Sequence, residues 1–363
     1  MVIEEDISKR ITSLRFLLIM FIVFLHSILL IYGVITPFEF VLINQYKVFG
    51  FVHKLFTNLA ASSVGVFFIF SSFLQYIKNY EYKTLVIKKI KGLLVPYIIW
   101  ISLAVFTIPL LKLIIARVAP WLFSEPDNIS ILRYKLSDWI GIYTGLFRPL
   151  QNPYISQFWF IRDLFILSII SPVLLSIEKK LPFLQFFIVI FLLISNFDVK
   201  PFIYNERIIT AYFFYLIGMY WAIYDIKLLN FVDKFKWKSC LILLLIMLLI
   251  SNKIKLNVYV NTTFPIIIMM LKLSKIIIKN DRLFLISKNL SPYSFFLFAI
   301  HMPFIMDSYI IKFWMKIFPM NNLFFWLINY FIASSLIIVI GTCIGFVLRK
   351  FCKPIYVLLN GGR

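Results

Sequence analysis

Leu14-Arg15-Phe16-Leu17-Leu18-Ile19-Met20-Phe21-Ile22-Val23-Phe24-Leu25-His26-Ser27-Ile28-Leu29-Leu30-Ile31-Tyr32 is the stretch that decides the fold. It is apolar over about 20 residues, and at about 1.5 Å per residue a helix of that length crosses the ~30 Å hydrocarbon core of a bilayer. Lys9 and Arg10 in front of it resemble the start of a signal peptide. The run nevertheless ends Tyr32-Gly33-Val34-Ile35, with no small-residue cleavage pattern, so it reads as a retained first helix. The rest of the chain repeats that character. Of 363 residues, 62% are hydrophobic and only 15% charged, with a mean hydropathy of +0.93. Soluble domains carry about 25% charge because their surface must be wetted. This chain is solvated by lipid, which excludes a soluble globular enzyme. Apolar segments predict helices near 14–34, 57–77, 92–111, 157–177, 182–197, 208–224, 239–252, 257–273, 292–311 and 323–347. The expectation is an all-α polytopic membrane protein of about ten transmembrane helices, one domain over 1–363.

A net charge of +21 on a soluble protein would suggest nucleic acid, but here the bases lie between apolar runs. They mark cytoplasmic loops and anionic lipid headgroups instead, so no nucleic-acid partner is expected. With the N-terminus inside, twenty-three Lys and Arg fall in inner segments and thirteen in outer ones, Arg162 lying within a helix. That bias places both termini in the cytoplasm. The longest connection, about 112–156, then faces outward, and with Pro120, Pro126, Pro149 and Pro153 and several aromatics it has the length of a functional loop. Cys240, Cys343 and Cys352 are too few for a disulfide framework or a cysteine-rich metal site. No nucleotide-binding, Cys-x-x-Cys or Gly-x-Ser-x-Gly pattern appears, nor an evident internal repeat.

Ionisable groups at membrane depth carry the functional information, because each costs a few kcal/mol unless it finds a partner or lines a cavity. Arg15 and His26 are eleven residues apart, about 16 Å and within about 20° of three full turns, so they share one face of the first helix. A guanidinium near the membrane boundary grips phosphate bidentately, and an imidazole deeper on the same stripe waits where the far end of a long anionic donor arrives. The plainer alternative is a topology-setting arginine and a histidine in an interhelical hydrogen bond. His301, about ten residues into a helix entering from the same side, lies at similar depth, with Ser294 on the same face. Arg162 and Asp163 sit one to two turns in from the outer boundary, about 100° apart, with Trp159 either an interfacial aromatic or a platform for a sugar ring. Lys88, Lys89 and Lys91 at a helix mouth could hold nucleotide phosphate or lipid headgroups. Two histidines with no supporting carboxylate at depth are a poor metal-ligand set, so no metal is expected.

Arg15-x10-His26, Phe67-Phe68-Ile69-Phe70-Ser71, the basic stretch from Lys89 to Pro96-Tyr97, Phe158-Trp159-Phe160-Ile161-Arg162-Asp163-Leu164 and Phe298-Ala299-Ile300-His301 stand in this order. Together they resemble the acyltransferase 3 family, bacterial membrane acyltransferases that O-acylate cell-surface carbohydrates, over nearly the whole chain. Two positions depart from that pattern: Ser72 stands where the family usually has Gly, and Gly92 where an Arg is expected. The resemblance implies a multi-pass protein of the bacterial plasma (inner) membrane. It would move an acyl group, with acetyl favoured, from cytoplasmic acetyl-CoA as co-substrate to a hydroxyl of a surface polysaccharide or its lipid-linked precursor. His26 is then the general base or, alternatively, the site of a covalent acyl-histidine. His301 would position a substrate or steady the thioester oxygen. Arg15, Lys89, Lys91 and Ser71 belong to donor binding, and Trp159, Arg162 and Asp163 to the acceptor side. A transporter or flippase for a glycan or polyprenyl-linked sugar is the alternative. Against it count the lack of repeats and of Gly/Pro-broken helix pairs.

Overall fold

The computed structural model describes residues 5–34, 47–118, 134–146, 152–194, 207–253, 258–306 and 323–362. Among them there is helix and no strand. Helix α1 is Glu5–Val34, 30 residues long, and α2 is Lys47–Lys78. Next come α3 (Tyr82–Lys89), a π-turn at Ile90–Leu94, and α4 (Val95–Val118). The longest connection of the sequence is partly helical: α4 runs on to Val118 and α5 covers Leu136–Thr144, while 119–133 and 147–151 lie outside the described residues. A 3-10 turn at Ser156–Phe158 leads into α6 (Trp159–Ile169), α7 (Ser171–Lys180) and α8 (Leu184–Ile194). Then follow α9 (Arg207–Ile223), α10 (Leu228–Lys234), α11 (Trp237–Lys253), α12 (Val258–Lys279) and α13 (Asp281–Leu290). After a 3-10 turn at Ser291–Tyr293, α14 (Ser294–Ile300) opens into a second π-turn at His301–Ile305. The last described helices are α15 (Leu323–Phe351) and α16 (Lys353–Leu359).

Among the described residues, Gly50–Lys78, Tyr82–Leu110, Asp281–Ile305 and Phe324–Phe351 are long and apolar enough to cross a membrane. Two bent pairs raise the number to six if each is one span: α6 with α7, bent by 55°, and α9 with α10, bent by 106°. Broken helices are thus present, although the sequence showed no such pair. The first bend has a local cause. Pro172 has no N–H to give the carbonyl four residues back, at Ser168. Gln75 of α2 donates its amide to that carbonyl at 3.2 Å and to Ser171 Oγ at 2.7 Å, so the break is capped by a neighbouring helix.

The chain divides into two compact units interleaved in sequence. One comprises Met1–Leu25, Phe51–Lys89 and Asp163–Ser294; the other His26–Gly50, Ile90–Arg162 and Phe295–Arg363. In the first, α2 and α9 touch backbone to backbone at Gly218, where an added Cβ would stand 2.1 Å from the Ile69 carbonyl oxygen and 2.9 Å from Ser72 Cβ. Ser72, the serine in place of the family's glycine, therefore packs in a crossing whose missing side chain is on the other helix. In the second unit, Gly341 of α15 admits Leu297 and Ile305, whose Cδ1 atoms would lie 2.7 and 3.1 Å from a Cβ there. That approach seats the helix carrying His301 against α15.

Candidate active site

His301 begins the π-turn that interrupts the last part of its helix. Pro303 cannot donate to Ala299, and Met302 adopts extended φ/ψ of −138° and 131°, so regular helix ends just where the imidazole is presented. The carbonyl of His301 takes its hydrogen bond from Met306 N at 2.9 Å, five residues on. Gln157, buried at the 3-10 turn, donates its side-chain amide to the Met302 carbonyl and so fastens the opened segment. Such interruptions are frequent at functional sites because they aim a side chain out of the helical register.

The structure brings His26 and His301 together, both in the second unit. His26 Nδ1 stands 2.9 Å from His301 Nε2, with the rings within 7° of parallel. His301 Nδ1 lies 3.2 Å from the Leu297 carbonyl oxygen, which can only accept. With each ring neutral, the protons are thereby assigned in sequence. Nδ1–H of His301 donates to Leu297, leaving Nε2 as an acceptor. Nδ1–H of His26 donates to that acceptor, and His26 Nε2 keeps its lone pair. The two rings also differ in access: His301 is fully buried, whereas His26 retains accessible surface. Phe298 packs 6.0 Å from the His301 ring and stacks on Phe158 at 5.8 Å, walling the pair with apolar groups.

Along α1, two arginines have opposite fates. Arg10 is buried and grips Asp233 of α10 with both terminal nitrogens, Nη1 to Oδ1 at 3.1 Å and Nη2 to Oδ2 at 2.7 Å, while its Nε pairs with Asp6 at 2.9 Å. Lys275 of α12 joins Asp233 at 2.8 Å. Arg15 is exposed and makes no ion pair with any described residue. Spacing from His26 singled out Arg15, but the burial of Arg10 was not legible, because its partner lies 223 positions away.

Ser71 is half-buried on α2, Lys89 half-buried and Lys91 exposed at the first π-turn. Trp159 is half-buried at the start of α6. Arg162 donates from Nη1 to the Thr144 carbonyl at 2.7 Å, bracing the end of α5, and Asp163 is fully buried. The fold thus joins the two histidines, while Ser71, Lys89 and Asp163 fall in the first unit and Lys91, Trp159 and Arg162 in the second. Sequence reasoning missed Glu178. Buried in α7, it accepts from Phe183 N at 2.9 Å, Gln185 Nε2 at 3.2 Å and the hydroxyls of Tyr220 and Tyr224 at 3.0 and 2.7 Å. Followed directly by Lys179 and Lys180, it reads in the sequence as part of a charged helix end, with no signal to single it out. Among the described residues, no three His, Cys, Asp or Glu side chains are grouped to hold a metal ion.

The acyltransferase 3 family, described as an acyltransferase domain, matches residues 8–350, nearly the whole chain, and the chain belongs to that family. Comparison with curated proteins and with solved structures yields no match.

Proposed function

We propose that this membrane acyltransferase moves an acetyl group from cytoplasmic acetyl-CoA to a hydroxyl of a surface polysaccharide or its lipid-linked precursor, in the bacterial plasma membrane with both termini inside. One observation carries the reading: an imidazole pair whose hydrogen bonds leave a lone pair on the accessible member, His26. The excess of bases in the segments assigned inside supports the orientation.

The reaction needs a base. As the acceptor oxygen attacks the thioester carbonyl carbon, its proton passes to His26 Nε2, a step worth roughly 10²–10⁴-fold in rate. The ring becomes an imidazolium, and its Nδ1–H bond to His301 Nε2 strengthens as charge develops. His301 in turn leans on the Leu297 carbonyl. His301 is therefore assigned to orienting His26 rather than to holding the thioester oxygen. Collapse of the tetrahedral intermediate breaks the carbon–sulfur bond. The CoA sulfur leaves with the proton from His26, giving ester and free thiol with the ring neutral again.

Arg15 suits the donor's phosphates because its fork makes no ion pair with any described residue and stands three turns from His26 on one helix, about 16 Å away by helical rise. Lys89 and Lys91 add point charges at the mouth. Ser71 stays assigned to the donor, and Trp159, Arg162 and Asp163 to the acceptor side. The bent pairs are the feature a transporter would use, yet the first is closed by Gln75, and the second turns α10 toward the Arg10 clamp.

The test is label transfer from radioactive acetyl-CoA to a glycan acceptor by purified protein in nanodiscs. His26→Ala should lose transfer while keeping its melting temperature, and Arg15→Lys should raise the KM for acetyl-CoA more than that for the acceptor. Normal transfer by His26→Ala ends the mechanism, and equal acetyl-CoA KM values for Arg15→Lys and wild type end the donor role of Arg15.

A further inference from the structure

The π-turn that carries Lys91 is held by a segment nearly 270 positions later. Pro96 has no N–H, so the carbonyl of Gly92, four residues back, loses the donor a regular helix would give it. Against that carbonyl lies Gly361. Its φ is +68°, and an added Cβ would stand 2.4 Å from Gly92 O and 3.3 Å from Gly92 Cα. Only glycine satisfies both the left-handed backbone and the close approach. The contact is reinforced about two helical turns further on, in α4, where Trp100 Nε1 donates to the Leu359 carbonyl at 2.9 Å. Trp100 packs edge-on against Phe296 and Phe304, at 5.5 and 5.4 Å, and Tyr356 of α16 lies 5.6 Å from Phe296. Phe296 and Phe304 flank His301 in sequence. The segment Lys353–Gly362 therefore touches both the basic π-turn and the helix of the second imidazole, all within one unit.

The geometry points to α16 and Gly361 as a strut that fixes the Lys91 π-turn in place, with Gly361 and Trp100 as positioning residues for the donor. This rests on the donor role given above to Lys89 and Lys91. A side chain at 361 must push the π-turn away, because the obstacle is backbone and cannot rotate aside. The Lys91 ammonium is a point charge whose reach is limited by the stem that roots it in this turn, so displacement should weaken donor capture and leave the chemistry at His26 intact.

Full-length Gly361→Ala in nanodiscs tests this, with Trp100→Phe as the milder variant that keeps the ring and loses the bond to Leu359, and Val357→Ala as control. Expected are an acetyl-CoA KM raised about tenfold, the effect of losing one charge-assisted contact, a kcat and acceptor KM within about twofold of wild type, and faster backbone hydrogen exchange over residues 88–97. The control should match wild type in all three. An unchanged acetyl-CoA KM, unchanged exchange, or a fall in kcat that tracks the melting temperature overturns the strut. Wild-type protein that transfers no acyl group from acyl-CoA overturns the functional reading and the donor role with it, and exchange then still decides whether Gly361 holds the turn.

Discussion

Replacing His301 by Leu removes the acceptor of the His26 Nδ1–H bond while keeping an apolar side chain of similar size in a fully buried site. The structure sets the size of the effect. The bond lost is the 2.9 Å contact between Nδ1 and Nε2. In the transition state its donor is an imidazolium, and hydrogen bonds to charged groups contribute about 1.5–3 kcal/mol. At about 1.4 kcal/mol per tenfold, kcat should fall about 10- to 150-fold. His26→Ala removes the base itself and should cost at least as much. His301→Gln offers an amide oxygen where Nε2 stood, so it should recover part of the loss and retain kcat within about tenfold of wild type. The acetyl-CoA KM should stay the same in both variants, since neither touches Arg15 or Lys91. The assay is initial-rate label transfer in nanodiscs at saturating donor, with melting temperature recorded for each protein. A folded His301→Leu enzyme within twofold of wild-type kcat, or a Gln variant no better than Leu, refutes the assignment of protons along the pair.

Two further outcomes follow from the first unit. At Asp233, burial works to raise the carboxyl, but the hydrogen bonds and charges of Arg10 and Lys275 outweigh it and hold the group below its ordinary value. A depressed carboxylate contributes stability that is fully present above the unfolded pKa, about 3.9. That contribution is lost as pH falls through the lower folded value. Asp233→Asn should thus cost about 1–2 kcal/mol at pH 7, discounted for partial exposure, and the melting-temperature gap to wild type should begin to narrow below about pH 4 and shrink further as pH falls through the folded value; a gap that does not narrow with acid contradicts the clamp. Gly218→Ala places a methyl 2.1 Å from the Ile69 carbonyl oxygen, a backbone obstacle. It should destabilise by about 3 kcal/mol or more, read as loss of monodisperse protein in detergent, and a normal melting temperature would show that α2 and α9 do not cross so tightly.

Much of the architecture was legible because lipid imposes a severe filter. A segment without apolar length cannot span, and a backbone without internal hydrogen bonds cannot be lipid-exposed. Composition alone therefore pointed to helices in a membrane, but not to where they break: Pro172 and Pro303 stand at breaks, whereas Pro109 and Pro265 lie inside continuous helices. The motif series from Arg15-x10-His26 to His301 pointed to the family. Sequence could also put His26 and His301 at similar depth, since depth is counted along a helix.

What composition and spacing could not decide is which way helices turn about their axes and which neighbours they meet. The contact between His26 and His301 spans 275 positions, and that between Arg10 and Asp233 spans 223. Arg10 and Arg15 stand five residues apart on one helix, yet one is bound bidentately and the other is exposed. The same holds for Gly361, whose necessity comes from the Gly92 carbonyl it faces. Local sequence sets helical character and apolar length because those depend on bonds and composition within a few residues. Partnership and protonation pattern depend on packing between segments far apart in the chain, which only the tertiary structure supplies.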